Sequence, residues 1–288
     1  MTAIKQRILV AGSTGYLGSH LVQQLLLTNS SFKALARNKA KLLAQGVAEA
    51  QIIEAQVTSP EELRGCCDEI DIVISCIGIT KQHDRLGYMD VDYQGNLNLL
   101  HEAERAGGSK FIYVSAYNAD KHPDVRLLKA KERFAKRLLI SNELTPCVIR
   151  PNGFFSDMEE VYKMAAQGRV YLLGDGDIKV NPIHGEDLAQ FCLEAIDSTE
   201  HELEIGGPEV ISVKQIAMSA FHAQKKPVKI TSLPDWVRRV ALVVVKRLPE
   251  KWGGPAEFFL TMIGQDTVAP FYGRHRLADH YAMLSHWR

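Results

Sequence analysis

Ile8-Leu-Val-Ala-Gly12-Ser-Thr-Gly15-Tyr-Leu-Gly18-Ser-His-Leu-Val-Gln-Gln-Leu-Leu26 is the stretch whose reading decides the fold. A run of aliphatic residues ends in three glycines, each three residues after the last. Behind them Leu17, Leu21, Val22, Leu25 and Leu26 recur at helical period. The pattern spells strand, tight turn and helix. Each glycine has its own task. Gly12 lets the chain turn off the strand, Gly15 lets a pyrophosphate approach the backbone, and Gly18 lets the helix lie against the sheet. The first amides of that helix have no intrahelical partner and sit at its positive end, where an anion is favoured. A dinucleotide site built from Gly12, Ser13, Thr14, Gly15, Tyr16, Leu17 and Gly18 is the expectation.

The rest of the composition fits such a protein and excludes others. At 288 residues the chain can bury a large core, and no repeat or low-complexity run divides it. The 34 basic residues cancel 34 acidic ones, so the electrostatic footprint of a nucleic-acid binder is missing. Cys66, Cys67, Cys76, Cys147 and Cys192 contain no C-x-x-C and sit mostly in apolar runs. They read as small buried hydrophobes in a reducing compartment, and no metal site is expected. Neither a leader pattern nor an apolar run of membrane-spanning length is visible, which makes the cytoplasm the expected location.

Phe32-Lys-Ala-Leu-Ala-Arg37 reads as a second strand, with a helix over Lys39 to Leu43. The position just past this strand meets the adenosine ribose, where a carboxylate would bind a 2′-hydroxyl and an arginine a 2′-phosphate. Ala36-Arg37-Asn38-Lys39 offers a guanidinium and no carboxylate, so NADP(H) is favoured over NAD(H), with Arg37 and Asn38 in the site. The plainer alternative is that Arg37 and Lys39 solvate a helix start. Ile52-Ile-Glu-Ala55 is a third strand, followed by Gln56-Val57 and a helix opened by Ser59 and Pro60. Ile70 to Gly78 is a buried fourth strand whose end, Cys76-Ile77-Gly78, flanks the ribose. The polar loop from Ile79 to Tyr88 suits a cleft rim, and Met89 opens a long helix. Lys110-Phe-Ile-Tyr-Val-Ser115 is the fifth strand, leaving Ser115 and Tyr117 at the edge where open α/β sheets bind ligands. A helix over Arg126 to Ile140 and a sixth strand from Thr145 to Pro151 complete the pattern.

The fold class is therefore α/β: a doubly wound parallel Rossmann sheet over residues 1–155, with a smaller α/β substrate-side region interleaved over 156–288. In that second part His184 and Asp187 read as packing and helix-capping residues, and Ser212 as a helix cap. Residues 233–263 are apolar around most of the first helix, with basic residues at both its ends. A lid over an apolar substrate, a patch for a membrane surface or partner, and plain packing are the three readings.

The glycine spacing with Thr14-Gly15 resembles the short-chain dehydrogenase/reductase superfamily. Arg150-Pro-Asn-Gly-Phe-Phe155, Gly206-Gly-Pro208 and Ala269-Pro-Phe-Tyr-Gly-Arg-His-Arg-Leu-Ala-Asp279 narrow this to the atypical, NmrA-like branch. Within it the chain is similar to a subgroup containing plant-type divinyl chlorophyllide vinyl reductases. The resemblance implies that Lys131 holds the nicotinamide ribose and that Asn96 or Asn98 orders the helix near it. It also implies that Pro151, Asn152, Gly153 and Phe154 neighbour the nicotinamide, with hydride leaving over Phe154 and Phe155. Relatives usually carry an aspartate where Gln56 stands. The tyrosine expected one helical turn before the lysine is Leu127 here, as that reductase group also lacks it, and the nearest spare phenol is Tyr117, as donor or as pocket wall. Three functions are implied: an NADPH-dependent reductase of an apolar small molecule, a redox sensor without catalysis, and an accessory factor of a membrane complex.

Overall fold

A computed structural model describes residues 5–79 and 86–286. Residues 80–85 of the expected cleft rim lie outside the described residues. The first half carries β1 (Ile8–Ala11), β2 (Phe32–Ala36), β3 (Ile52–Glu54), β4 (Ile72–Ser75), β5 (Lys110–Val114) and β6 (Thr145–Pro151). Between them run α1 (Tyr16–Leu27), α2 (Ala40–Ala44), α3 (Pro60–Leu63), α4 (Asn96–Arg105) and α5 (Arg126–Leu139). The second half adds β7 (Val170–Leu173), β8 (Lys179–Val180), β9 (Glu202–Ile205), β10 (Ile211–Ser212) and β11 (Ile230–Leu233). Its helices are α6 (Phe155–Ala166), α7 (Gly185–Glu194), α8 (Val213–Ala223), α9 (Asp235–Arg247), α10 (Glu250–Met262) and α11 (Leu277–His286).

The main sheet has seven strands in the order β3-β2-β1-β4-β5-β6-β9. Every pairing from β3 to β6 is parallel. β9 joins in step, the Val148 and Asn152 amides donating to the carbonyls of His201 and Ile205. The order reverses between β1 and β4, the switch point at which such sheets hold ligands beyond their carboxyl ends. Side chains alternate across each strand. Leu9 and Ala11 of β1 enter a core closed by Leu63 of α3, Leu99 and Leu100 of α4, and Phe134 and Leu138 of α5. Ile8 and Val10, equally buried, face the other side of the sheet, where α1 packs on β1.

By contact density the chain forms two compact units. One is the described part of Met1–Arg150 with Leu188–Leu203; the other is Pro151–Asp187 with the described part of Glu204–Arg288. The second unit has its own core, in which Phe155 and Tyr162 of α6, Ile216 and Phe221 of α8, and Leu277 and Tyr281 of α11 pack together. Its strands form two small sheets, β7 with β11 and β8 with β10, so β7 and β8 do not pair with each other. Ser212 caps α8 as expected: its hydroxyl accepts from the Gln215 amide at 3.1 Å and the Gln215 side chain returns the bond at 2.7 Å.

One element departs from expectation. The helix that opens at Met89 runs as a π-helix to Gly95 before α4 continues it. Wide turns of this kind are rare and frequent at functional sites. Here the turn seats Asp92, fully buried, against the helix that carries Lys131.

Candidate cofactor site

The turn after β1 has the backbone the glycines demand. Gly12 sits at φ +76°, and a Cβ there would press within 2.9 Å of the Cys76 carbonyl group at the end of β4. A Cβ on Gly18 would fall 2.2 Å from the Gly12 oxygen, so only glycine lets α1 start this close to the turn. Beside the turn opens a cleft of about 190 Å³, lined by Gly12, Thr14 and Gly15 at the helix start and by Arg37 past β2. Gln56 and Val57 past β3, and Cys76, Ile77 and Gly78 past β4, complete its lining among the expected residues. These nine come from four strand ends and meet at the switch point. Ile79 and Leu86, from the loop expected at a cleft rim, also line the cleft, as does Val91 of the helix that follows, which no sequence signal marked.

Other expected residues have structural work nearby. The Ser13 hydroxyl donates to the Leu35 carbonyl at 2.8 Å, tying the turn to β2. Leu17 and Gly18 lie on the buried side of α1, and Tyr16 stacks edge-on against His20. The Asn38 side chain accepts from the Ala40 amide at 2.8 Å and starts α2. Lys39 pairs with Glu49, while Lys41 reaches the Thr14 carbonyl. Arg37 is thus the guanidinium that borders the cleft.

Under Gly78 lies the second cluster. Lys131 forms a 3.1 Å ion pair with Asp92, whose other oxygen accepts from the Ile79 amide at 3.2 Å. A Cβ on Gly78 would lie 2.7 Å from both Lys131 Nζ and Asp92 Oδ1, so glycine keeps the cleft floor open down to the pair. Burial alone would lower the lysine's pKa, but Tyr113 and Asp92 outweigh it and hold the ammonium protonated. The Tyr113 phenol lies beside that ammonium without a well-formed hydrogen bond, and burial pushes its pKa up to about 12. Burial likewise raises the Cys76 thiol to about 12, against the lowering pull of Lys131.

The two asparagines have different partners. Asn96 is fully buried, accepts from Ser75 Oγ at 2.5 Å and donates to the carbonyls of Asp92 and Ile77. It therefore fixes the end of β4 and the π-turn together. Asn98 donates instead to the Val57 carbonyl at 3.0 Å. At the end of β5, Ser115 is buried and its hydroxyl has no hydrogen-bond partner among the described residues. Tyr117 is half-buried, with Lys121 Nζ 5.9 Å from its ring centre. Leu127, where a phenol was looked for, is buried in α5.

Pro151, Asn152, Gly153 and Phe154 belong to the second unit. Asn152 is buried there in a knot: it donates to Asn181 Oδ1 at 2.7 Å and to the Thr267 carbonyl at 2.6 Å. Asn181 donates onward to the Ala269 and Gly207 carbonyls. The blocks that narrowed the resemblance, 150–155, 206–208 and 269–279, thus converge on two buried amides. Phe155 corrects the expectation of a hydride path over its ring: it is 1% exposed, inside the second unit's core against His184 and His280. Asp187 fastens the tail block, taking the His275 ring at 2.8 Å and the Arg274 and His275 amides at 3.0 Å. His184, Glu186 and His275 each bring a metal-capable atom within 4.8 Å of the others. The His184 Nδ1 accepts from the Glu186 amide.

A glycine turn, a switch-point cleft and a basic residue past β2 define a Rossmann-type dinucleotide-binding protein. A family profile described as NAD(P)H-binding matches residues 12–199, and the chain belongs to that family. Divinyl chlorophyllide a 8-vinyl-reductase of Cucumis sativus is 28% identical over 222 residues, which is 70% of this chain and 52% of that protein. Photosystem II assembly factor Ycf39 of Synechocystis is 26% identical over 192 residues, 66% of this chain and 58% of that one. The chain thus spans little more than half the length of these relatives. The resemblance to atypical short-chain dehydrogenase/reductases is met at modest identity. Among solved structures, the NADPH-dependent quinone oxidoreductase QOR2 of Escherichia coli, complexed with NADPH, superposes with a TM-score of 0.72. It is 20% identical and covers 96% of this chain and 99% of that one. Among the described residues no helix is long and apolar enough to cross a membrane. The expected cytoplasmic location draws nothing from the plant relatives, whose names place them in chloroplasts.

Proposed function

We propose that this chain is an NADPH-dependent reductase of an apolar small molecule. The observation that carries the reading is the cleft itself, which runs from the Gly12–Gly15 turn to Arg37 and has the Lys131–Asp92 pair under its Gly78 floor. The turn amides and α1 receive the pyrophosphate, Cys76, Ile77 and Gly78 flank the adenosine ribose, and Arg37 clamps the 2′-phosphate. Bound NADPH supplies a hydride. Lys131 has three N–H donors and gives one direction to Asp92, leaving others for the nicotinamide ribose hydroxyls. Tyr117, with Ser115 beside it, is assigned the proton that completes the reduction.

Calorimetry tests the cofactor half. NADPH is expected to bind at least tenfold more tightly than NADH, and Arg37→Glu to remove that preference, since a charge-assisted contact contributes about 1.5–3 kcal/mol. Equal affinity for the two nucleotides overturns the assignment of Arg37. Turnover with a panel of enones and quinones tests the reaction. Tyr117→Phe is expected to lower kcat about a hundredfold with NADPH affinity unchanged. A second reading, an accessory factor that carries the nucleotide without turning it over, is supported by the relatives named as photosystem II assembly factors. It predicts tight NADPH binding with no consumption on any substrate.

A further inference from the structure

Helix α9 is out of keeping with the rest of the chain. Eight of its thirteen residues are apolar, yet none is buried. Trp236 is 64% exposed, Val240 54%, and Val243 and Val244 51% each. At 3.6 residues per turn these four fall within an arc of roughly 100°, on one side of the helix. Its inner side meets α10, which in turn leaves Trp252 71% and Phe259 54% exposed. An exposed apolar stripe of this kind along one helix marks an interaction site.

The charges around it say what kind. Arg239 and Lys246 run along one edge of the exposed stripe, Arg247 ends it, and Lys251 stands over the Trp252 ring at 5.6 Å. The single carboxylate of α9, Asp235, is already engaged by Arg238 and Arg239. Lys246, Arg247 and Lys251 then stand against one carboxylate, Glu250, so this edge is net cationic. A valine stripe flanked by tryptophans and rimmed by lysine and arginine is the pattern of a helix that lies in the headgroup layer of a bilayer.

We propose that the α9–α10 hairpin seats this protein on an anionic lipid surface, with Trp236, Val240, Val243 and Val244 in the acyl boundary and Lys246, Arg247 and Lys251 among the headgroups. The chain lies on the membrane and does not span it. The proposal is independent of the cofactor reading.

The test is flotation of the full chain with vesicles of phosphatidylcholine containing 30% phosphatidylglycerol, beside vesicles of phosphatidylcholine alone. The mixed vesicles are expected to carry the protein and the neutral ones to carry at least tenfold less. Lys246→Glu with Arg247→Glu lowers binding to the mixed vesicles more than about tenfold. Val240→Ser, Val243→Ser and Val244→Ser together do the same, and because these side chains are already exposed the thermal midpoint and NADPH affinity stay at wild-type values. The proposal is overturned by absence of binding to mixed vesicles, or by undiminished binding of the triple serine variant. It is equally overturned if light scattering shows a dimer that the serine variant converts to monomer, since a second copy then covers the face.

Discussion

Two groups around the cleft carry predictions that depend on single atoms. Cys76 borders the expected ribose position, yet burial sets its thiol near 12 despite the neighbouring ammonium. At pH 8 its thiolate fraction is roughly a thousandfold below that of an ordinary cysteine. Iodoacetamide followed by intact-mass analysis should leave Cys76 unmodified for hours in the native protein. Rapid labelling would show that the floor of the cleft is wetter than described. Lys131 poses a different problem, because removing it leaves the fully buried Asp92 carboxylate without its cation. Lys131→Met alone is expected to cost about 3–5 kcal/mol, whereas Lys131→Met with Asp92→Asn should recover much of that loss. Urea midpoints measure both. Activity lost in the stable double variant then reports on the ribose contact and not on folding. The sign of the pH dependence follows from the raised lysine pKa. Its contribution is whole below the ordinary value of 10.5 and is lost only as pH climbs through the higher folded value. The pair therefore holds at neutral pH.

Elements that owe their form to nearby residues behave differently from those set by distant ones, and Lys110 shows how stability depends on the second kind. It begins β5, yet its ammonium caps the end of α7, donating to the carbonyls of Ala195, Ile196 and Ser198 at 2.6–2.9 Å. A cation at a helix C-terminus satisfies carbonyls that have no intrahelical partner. Lys110→Met keeps the apolar stem and removes this donor from the Ile196 and Ser198 carbonyls, so a loss of about 1–3 kcal/mol is expected, read as a lower urea midpoint with unchanged NADPH affinity. Nothing near position 110 announces this role, since the partners lie more than 80 residues on. β1, its turn and α1 were legible because their code is local: aliphatic run, glycines, helical period. The Ser212 cap of α8 was legible for the same reason. The π-turn at Met89–Gly95 was not, because Asp92 is held there by a lysine 39 positions later. Nor were the bonds of Asn152, whose partners Asn181 and Thr267 lie 29 and 115 residues on.

Across the whole molecule, the chain passes between its two compact units at Arg150–Pro151, Asp187–Leu188 and Leu203–Glu204. The first unit is therefore incomplete without Leu188–Leu203. That segment supplies the three carbonyls on Lys110 and the His201 carbonyl that pairs with the Val148 amide. It also brings Glu202, which with Glu132 holds the buried Arg150 guanidinium at 2.7–2.8 Å. Burial would lower the pKa of Arg150, and the bonds to Glu132 and Glu202 reverse that shift. A fragment ending at residue 155 keeps every cleft residue from Gly12 to Lys131, but it leaves β6 an open edge and Lys110 without its acceptors. An edge strand with unpaired amides invites association, and a buried ammonium without partners costs several kcal/mol. The fragment is expected to lack a cooperative urea transition and to bind NADPH at least a hundredfold more weakly than the full chain. A fragment that unfolds cooperatively and keeps full affinity would mean that the glycine turn and its sheet hold together without the returning strand.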